Sequence, residues 1–352
     1  MSLLRTDRSF REEVRRSVRE EVRRRSPVRY LPQAPPDRMR GTWRDAKPGR
    51  IAEALADALA RPTGGWSVVG GSGEVPVGRS LVRTVYGREV VLWRDEDGVL
   101  LAGPGACPHL GARLDGCDVV RGDVLCRWHG MALGRTTEPP WATVPAYDDG
   151  VLAWVRVGAA GGDDTDGGGG AGLTDRPVLA TRPDPDGSIA SVVSLPAVCE
   201  PRDVVANRLD PWHGAWFHPY AFSDLTVDDA ASSPDRLVLD VAYRLGRRVA
   251  VPVRAEVTCP DAATVVMTIT EGEGLGSVVE SHATLLTAPG QHPARTVMTE
   301  AVVATSDRLG FRAARALGSL VRPGMRASQK QLWVDDLEYA ERRYALRQGL
   351  VR

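Results

Sequence analysis

Two pairs of potential metal ligands lie close together in the first half of the chain, within CPHLGARLDGCDVVRGDVLCRWHG. Cys107 and His109 form the first pair, with the spacing C-x-H. Sixteen residues later, Cys126 and His129 form the second pair, with the spacing C-x2-H. Two thiolates on one iron and two imidazoles on the other can hold a [2Fe–2S] cluster. The pattern therefore predicts such a cluster, with one sulfur and one nitrogen from each loop.

Zinc is the alternative metal, because two cysteines and two histidines can also close a tetrahedral site. Zinc fingers more often pair C-x2-C with H-x3–5-H, so the interleaved order favours the iron–sulfur cluster. Gly111 and Gly130 follow the ligands, and glycine lets the backbone come close to the cluster sulfurs.

A second group of possible ligands lies in EPRDVVANRLDPWHGAWFHPYAF. Asn207, Asp210 and His213 recur at every third residue, and His218 follows five residues later. Three-residue steps keep side chains on one face of a helix, so we expect one helix that carries the first three and ends near Pro219. Two imidazoles and one carboxylate, with coordination positions left open, form the facial triad of non-haem Fe(II) oxygenases. The histidines are therefore candidate ligands of a mononuclear Fe(II).

Together the two motifs resemble those of the Rieske non-haem iron oxygenases, and in particular oxygenase components similar to the alpha subunits of ring-hydroxylating enzymes. Respiratory Rieske proteins carry two cysteines, joined in a disulfide, where this chain has Ala112 and Trp128. Leu110 replaces an arginine that many of the oxygenases carry. The resemblance extends from about residue 65 to the end of the chain and implies both a Rieske [2Fe–2S] cluster and Fe(II).

The resemblance implies that a long C-terminal helix supplies the carboxylate of the triad. The segment QLWVDDLEYAERRYALRQG, which starts at Gln331, fits that helix. Asp336 has the position of the ligand in similar sequences, Asp335 is the close alternative and Glu338 a more distant one. An acidic helix face turned to solvent, without a metal, is the non-functional interpretation of the same residues.

The resemblance also implies partners. A separate NAD(P)H-dependent reductase, with or without a ferredoxin, supplies electrons to the cluster, and the Fe(II) site uses them with O2. Asp210 then bridges a cluster histidine and an iron histidine across a subunit boundary, which implies a head-to-tail homotrimer. Asn207 helps to position Asp210 or lines the pocket.

Reaction and substrate are less sharply indicated. Hydroxylation, dihydroxylation, demethylation and desaturation all use this pair of iron sites in the family that the chain resembles. The strands of the second half are rich in Val, Leu and Met, which favours an apolar aromatic, polycyclic or isoprenoid substrate. The alternative function is a Rieske electron carrier fused to a module that binds an apolar ligand without oxidising it.

The resemblance and the β-rich runs predict an α+β protein in four parts. Residues 1–61 form a basic helical and Pro-rich extension, and residues 62–157 an all-β Rieske domain. Residues 158–173 are a Gly-rich linker, a loose tether that by itself does not fix a donor–acceptor distance. Residues 174–352 form a helix-grip (START-like) catalytic domain, with a curved antiparallel sheet and a long C-terminal helix.

Charge and composition restrict the remaining classes. The chain has 352 residues with 45 basic and 45 acidic ones, which argues against a nucleic-acid surface. Residues 5–29 hold ten arginines against five acidic residues with Phe10 and valines at every fourth position, so we expect an amphipathic helix, either solvated or in peripheral contact with an anionic membrane. No signal peptide or membrane span is evident. Three cysteines remain outside the cluster and fit reduced thiols of a cytoplasmic protein: Cys117, Cys199 and Cys259.

Overall fold

The computed structural model of the chain describes residues 27–137, 139–157 and 172–351. The expected basic helix at residues 5–29 and the Gly-rich linker at residues 158–173 lie outside these ranges, apart from their last few residues. None of the helices in the described ranges combines the length and apolar character needed to span a bilayer.

The strands of the first half are β1 (Arg29–Tyr30), β2 (Trp66–Gly71), β3 (Leu81–Val85), β4 (Arg88–Arg94), β5 (Leu100–Pro104), β6 (Asp118–Val120), β7 (Asp123–Leu125), β8 (Ala132–Leu133), β9 (Ala146–Asp148) and β10 (Leu152–Arg156). Those of the second half are β11 (Ser188–Ala197), β12 (Phe222–Val227), β13 (Arg236–Arg244), β14 (Val249–Asp261), β15 (Thr264–Gly272), β16 (Val278–Leu285) and β17 (Thr296–Thr305). The α-helices are α1 (Pro48–Leu59), α2 (Pro201–Arg208), α3 (Gly214–Phe217), α4 (Leu309–Ala316) and α5 (Gly318–Arg347).

Three small antiparallel sheets build the first half, in the orders β2-β10-β9, β3-β4-β5 and β6-β7-β8. Their strands are short runs rich in Val and Leu, which suit a half-buried extended chain. Trp93, Leu114 and Trp141 are buried in the core beneath the β5–β6 and β7–β8 loops. These two loops carry the four predicted cluster ligands, so the core supports the loops from below.

One antiparallel sheet dominates the second half, in the order β11-β17-β16-β15-β14-β13-β12, and β1 pairs with β14. Along most of β14 buried and half-buried residues alternate, which is the pattern of a strand with one face on the core. Helix α5 buries Trp333, Leu337 and Tyr344 against this core, where they meet Val193 and Met298. The predicted fold class, an all-β domain followed by a sheet with a long C-terminal helix, is confirmed.

Ion pairs tie the end of α5 to the start of α2. Arg347 donates to both carboxylate oxygens of the buried Asp203, at 3.0 and 2.6 Å, and to Glu200 at 2.9 Å. Glu200 and Asp203 also form the capping box that begins α2. The same contacts therefore begin one helix and fix its position against the other, and these two helices supply Asn207 and Asp336 to one site.

A buried polar group joins the two halves. Arg182 pairs with Asp149 of the first half at 2.8 Å and donates to both oxygens of Glu280 of the second half. The ring of His282 packs edge-on against Trp154, with 5.0 Å between ring centroids. Because the acidic side chains are almost fully buried, these contacts hold the Rieske half in one position on the large sheet.

The expectation of a single helix from Asn207 to His213 is wrong. Helix α2 ends at Arg208, Asp210 has non-helical dihedral angles (φ −106°, ψ 81°), and a 3-10 turn follows at Pro211–His213. Pro211 causes the break, because it lacks an amide hydrogen and disfavours helical dihedral angles at the residue before it. The break turns Asp210 and His213 out of the α2 axis, and His218 follows the short helix α3.

Candidate metal centres

The β5–β6 and β7–β8 loops have matching backbones. The amide of Cys107 donates to the carbonyl of Ala112, and the amide of Gly111 donates back to the Cys107 carbonyl. Cys126 makes the same two bonds with residues 131 and 130 in the other loop. Gly111 and Gly130 have φ of 75° and 71°, which only glycine adopts at little cost, so both loops need glycine there.

These loops bury both thiols and expose both imidazoles. Cys107 and Cys126 are each 3% exposed, whereas His109 and His129 lie at the surface with ring centroids 4.8 Å apart. Burial raises the pKa of the Cys107 thiol. Burial also raises that of Cys126, but backbone amides, among them that of Trp128, and the neighbouring thiol outweigh it and lower the pKa. Amide donors aimed at a sulfur fit a thiolate ligand.

The zinc alternative does not fit this arrangement. Within the described ranges, only one group of three or more metal-binding side chains has ligand atoms that converge on one point, and it lies in the second half. The two thiols and two imidazoles of the loops form no such group, although a tetrahedral zinc site needs all four around one ion. Inner sulfurs and outer nitrogens are the donor set of a two-iron cluster.

The second centre brings together His213, His218 and Asp336, whose ligand atoms all lie within 4.8 Å of one another. The Asp336 Oδ1 atom is 3.1 Å from Nε2 of His213 and 2.8 Å from Nε2 of His218. His218 is 1% exposed and Asp336 is fully buried. Asp336, which lies 118 positions after His218, therefore joins the two histidines so that three ligand atoms face one point.

Hydrogen bonds on the far side of each ring fix its tautomer. Nδ1 of His213 donates to the carbonyl oxygen of Asp210, which can only accept. The hydroxyl of Tyr220 donates its hydrogen to Asp335 at 2.6 Å. Nδ1 of His218, 3.3 Å from the same hydroxyl oxygen, is therefore the donor in that second contact. Both Nε2 atoms of the neutral rings therefore turn a lone pair toward the Asp336 oxygen, which is repulsive unless positive charge lies between them.

Asp336 itself indicates the same need for positive charge. Its burial raises the pKa of the carboxyl group, but the contacts of Asp336 with His213 and His218, together with the Arg208 guanidinium, outweigh burial and hold that pKa well below its usual range. Its Oδ2 atom is buried without a hydrogen-bond partner in the described ranges, and Arg208 lies 3.3 Å away. A divalent cation would meet the demand while both imidazoles stay neutral, so the three side chains fit a metal.

The alternative carboxylates of α5 lie elsewhere. Asp335 is 37% exposed in its side chain, accepts the hydroxyl of Tyr220 and lies 3.6 Å from Nδ1 of His218, so it lies on the side of that ring away from the triad. Glu338 is exposed. The side chain of Asn207 donates to Oδ1 of Asp336 at 3.1 Å rather than to Asp210, and Asn207 also lines the cavity, which is the second of its two expected roles.

Asp210 is half-buried beside the triad. Its Oδ2 atom accepts the hydroxyl of Tyr339 at 3.3 Å and lies 3.9 Å from Nδ1 of His213. Its Oδ1 atom is buried without a partner among the described residues. One carboxylate oxygen is thus held toward the histidine, and the other is enclosed without a donor.

A cavity of about 280 Å³ reaches the triad. Its walls are largely apolar and include Leu239, Val241, Val257 and Met267 from the sheet. One end is polar, where the Arg208 guanidinium stacks 4.1 Å above the ring of Trp333 and pairs with Glu300 at 2.6 Å. The cavity therefore offers an apolar volume next to the three ligand atoms.

Sequence reasoning did not identify several residues that act at this centre. Tyr220 stands two residues after His218, and Arg208 directly follows Asn207, so their positions alone gave a weak signal. Tyr339 stacks on the ring of His213 at 5.5 Å between centroids and contacts Asp210. It lies one helical turn from Asp336, which was a usable signal once the ligand helix was known.

Comparisons with known proteins agree with this geometry. Residues 65–148 match the Rieske [2Fe-2S] domain. Residues 168–350, just over half of the chain, match a domain of unknown function, DUF5914. The chain belongs to the DUF5914 family. This DUF5914 protein is also 28% identical over 132 residues to the cholesterol 7-desaturase of Bombyx mori, an alignment that covers 36% of this chain and 28% of that protein.

Solved structures resemble nearly the whole DUF5914 protein. Dicamba monooxygenase bound to dicamba aligns with a TM-score of 0.56 at 17% identity, over 82% of this chain and 90% of that one. The oxygenase in the ferredoxin complex of carbazole 1,9a-dioxygenase aligns with a TM-score of 0.52 at 14% identity, over 86% and 88%. A 2-oxoquinoline 8-monooxygenase component gives 0.53 at 14% identity, over 85% and 82%. The fold is that of the Rieske oxygenases, which confirms the resemblance and the Rieske [2Fe–2S] domain.

Proposed function

We propose that this protein is the oxygenase component of a Rieske enzyme system that uses O2 and electrons from a separate reductase to hydroxylate or demethylate an apolar small molecule. The convergence of His213, His218 and Asp336 at the wall of an apolar cavity carries the proposal. Fe(II) held by these side chains would supply binding and activation of O2 beside the substrate.

The chain's own residues contribute position and exclusion of water. The Asp210 carbonyl and the Tyr220 hydroxyl hold the two imidazoles with Nε2 turned inward. Asn207 and Arg208 hold the carboxylate of Asp336 from two sides. Such contacts orient metal ligands and are worth about 10–100-fold in metal affinity or activity in comparable sites.

An exposed pair of imidazoles supports electron entry through the first centre. His109 and His129 reach the surface, and Leu110 and Trp128 beside them are 63% and 56% exposed. We infer that Cys107, Cys126 and the two histidines hold the Rieske cluster, whose chemistry is one-electron transfer. A separate NAD(P)H-dependent reductase, directly or through a ferredoxin, fits this arrangement.

The position of Asp210 beside His213 supports transfer between subunits. Within the described ranges no hydrogen bond, ion pair or ring contact joins the cluster loops to Asp210 or the triad of the same chain. We infer that a cluster histidine of a neighbouring copy donates to the carboxylate of Asp210, whose side chain is 12% exposed, in a head-to-tail homotrimer. Asp210 would then connect two imidazoles that belong to different subunits.

Substrate class and location follow from the cavity and the cysteines. The cavity volume is at the lower end for small-molecule sites, and apolar walls favour aromatic, polycyclic or isoprenoid groups. The three cysteines outside the cluster, Cys117, Cys199 and Cys259, form no disulfide, which fits a reducing cytoplasm. Tight binding of small polar acids alone would contradict the substrate class.

Metal analysis of a matched pair of variants tests the function. Anaerobically purified protein should hold about three irons per two acid-labile sulfides, with a Rieske-type EPR signal on reduction. His213→Ala should lose the third iron and substrate-dependent O2 uptake while the cluster signal stays. His292→Ala removes a histidine that contacts Tyr344 instead of the triad and should keep both.

The ratio of iron to sulfide also distinguishes the oxygenase from the electron-carrier alternative. Two irons per two sulfides in the unaltered protein, even after Fe(II) is added back, would mean that the second half holds no catalytic iron. The protein would then be an electron carrier with an apolar-ligand module.

A further inference from the structure

A basic and apolar surface surrounds the start of helix α5. Residues 309–330 contain five basic residues and no acidic one, in a chain whose net charge is zero. Large apolar side chains in the same segment point to solvent: Leu309 is 80% exposed, Leu317 54% and Leu320 74%. We call residues 309–326 the leucine–arginine surface.

Helix α4 buries little apolar surface against the rest of the protein. It buries none of its eight residues, although its sequence is amphipathic, with Leu309 and Phe311 beside Arg312 and Arg315. A surface helix normally buries its apolar stripe against the core. Neither Arg312 nor Arg315 pairs with an acidic side chain in the described part of the chain. Leucines next to unpaired arginines are the composition of helices that lie in the interface of an anionic membrane.

The cavity opens beside this surface. Of the described residues that line the cavity, only Ser328 is exposed, so the lining of the cavity reaches the surface at this point of helix α5. Ser328 stands two residues after Arg326 and eight after Leu320 on helix α5, a distance of about 12 Å along the helix axis. A bilayer in contact with Leu320 would therefore lie close to the mouth of the cavity.

We propose that the leucine–arginine surface docks on an anionic lipid bilayer, with the mouth of the cavity turned toward the membrane. The leucines enter the boundary between headgroups and acyl chains, and the arginines contact anionic headgroups. Where the proposed oxygenase function holds, an apolar substrate passes from the bilayer into the cavity without crossing water. Docking itself requires neither metal nor turnover.

Vesicle flotation of the full-length protein tests the docking. We expect binding to phosphatidylcholine vesicles that contain about one third phosphatidylserine, weaker binding to pure phosphatidylcholine, and a decrease with added salt. The double variant Leu317→Ser/Leu320→Ser should bind about tenfold more weakly, because two apolar side chains no longer enter the interface. Arg312→Ala/Arg315→Ala should lower binding by about fivefold per arginine, on anionic vesicles only.

Matched variants remove equally exposed side chains elsewhere. Val77→Ser/Leu275→Ser replaces apolar residues that are 80% and 62% exposed and should bind as the wild type does. Arg202→Ala/Arg295→Ala is the matched control for charge, since both arginines are exposed. An unchanged urea unfolding curve, together with unchanged visible absorption of the cluster, shows that each variant is folded.

Three results would overturn the proposal. One is vesicle binding that is unchanged in both Leu317→Ser/Leu320→Ser and Arg312→Ala/Arg315→Ala. This includes binding through the N-terminal arginines alone, which Arg23→Ala/Arg24→Ala would abolish. Another is an equal loss in the control variants. The third is that the unaltered protein does not bind vesicles and that Leu317→Ser/Leu320→Ser changes the oligomeric state. That result would mean that a second copy of the chain covers this surface.

Discussion

The hydroxyl of Tyr220 offers a test of how the metal centre is built. It accepts from Nδ1 of His218 at 3.3 Å and donates to Asp335 at 2.6 Å. Burial, followed by the Asp335 carboxylate, raises the pKa of Tyr220, so the hydroxyl keeps its proton. Tyr220→Phe removes both bonds but keeps the ring, and His218 then loses the acceptor that fixes its tautomer.

The expected loss is moderate. Partners of metal-bound histidines are worth about 10–100-fold in affinity, and a hydrogen bond as long as 3.3 Å belongs at the low end. We therefore expect Tyr220→Phe to raise the Kd for Fe(II) about tenfold, which equals about 1.4 kcal/mol. Asp335→Asn should have a smaller effect, because an amide oxygen still accepts the tyrosine hydroxyl.

The assay is anaerobic titration of Fe(II) into protein whose second centre has been emptied by a chelator while the cluster remains. Tyr339→Phe is the matched control, since it removes a hydroxyl that contacts Asp210 and keeps the ring that stacks on His213. An unchanged Kd in Tyr220→Phe, or an equal rise in Tyr339→Phe, would refute the assignment of Tyr220 as the partner of a metal ligand.

Two further predictions concern stability. Burial raises the pKa of Glu280, but Arg182 and His282 outweigh it and lower the pKa to about 2 from 4.5. Ionised Glu280 therefore contributes about 3 kcal/mol to the free energy of unfolding above pH 4.5, and this contribution is lost as the pH falls toward 2. Glu280→Gln should flatten the dependence of the urea unfolding free energy on pH in that window. Arg347→Met should lower the free energy of unfolding by about 3 kcal/mol, because it leaves the buried Asp203 with only a distant arginine. Urea unfolding at neutral pH measures this loss. A loss below about 1 kcal/mol, the value of an exposed ion pair, would contradict the prediction.

Local sequence pattern was sufficient for much of the fold. The runs at residues 236–244, 249–257, 264–271, 277–288 and 294–305 correspond to β13–β17 within a few residues at each end. Their Val-rich alternation encodes one buried face, and this signal does not depend on distant parts of the chain. The cluster loops were equally local, because each loop contains its own cysteine, histidine and glycine.

Local reasoning failed where two signals compete. The three-residue spacing from Asn207 to His213 suggested one helix, but Pro211 breaks it. The proline was visible in the sequence, and it should have outweighed the spacing, because a missing amide and a restricted preceding residue are steric facts.

The choice among the acidic residues of α5 depended on the rotation of that helix. Adjacent residues on a helix point about 100° apart, so Asp335 and Asp336 cannot face the same site. The choice of Asp336 rested on the resemblance; the buried residues Trp333, Leu337 and Ala340 surround it on one face, and this apolar stripe was a further signal in the sequence that was not used.

The sequence by itself predicted the two Cys/His pairs of the first half, the two histidines of the second, the order of strands along the chain and a long final helix, because each rests on residues near one another in the chain. Only the tertiary structure decided which side chains support the ligands, where the cavity opens and which surface surrounds its mouth. Asp336 meets His218 across 118 residues, and Arg208 meets Glu300 across 92. Such distances are set by how the sheet packs on α5, and the spacing of residues along the chain carries no measure of that packing.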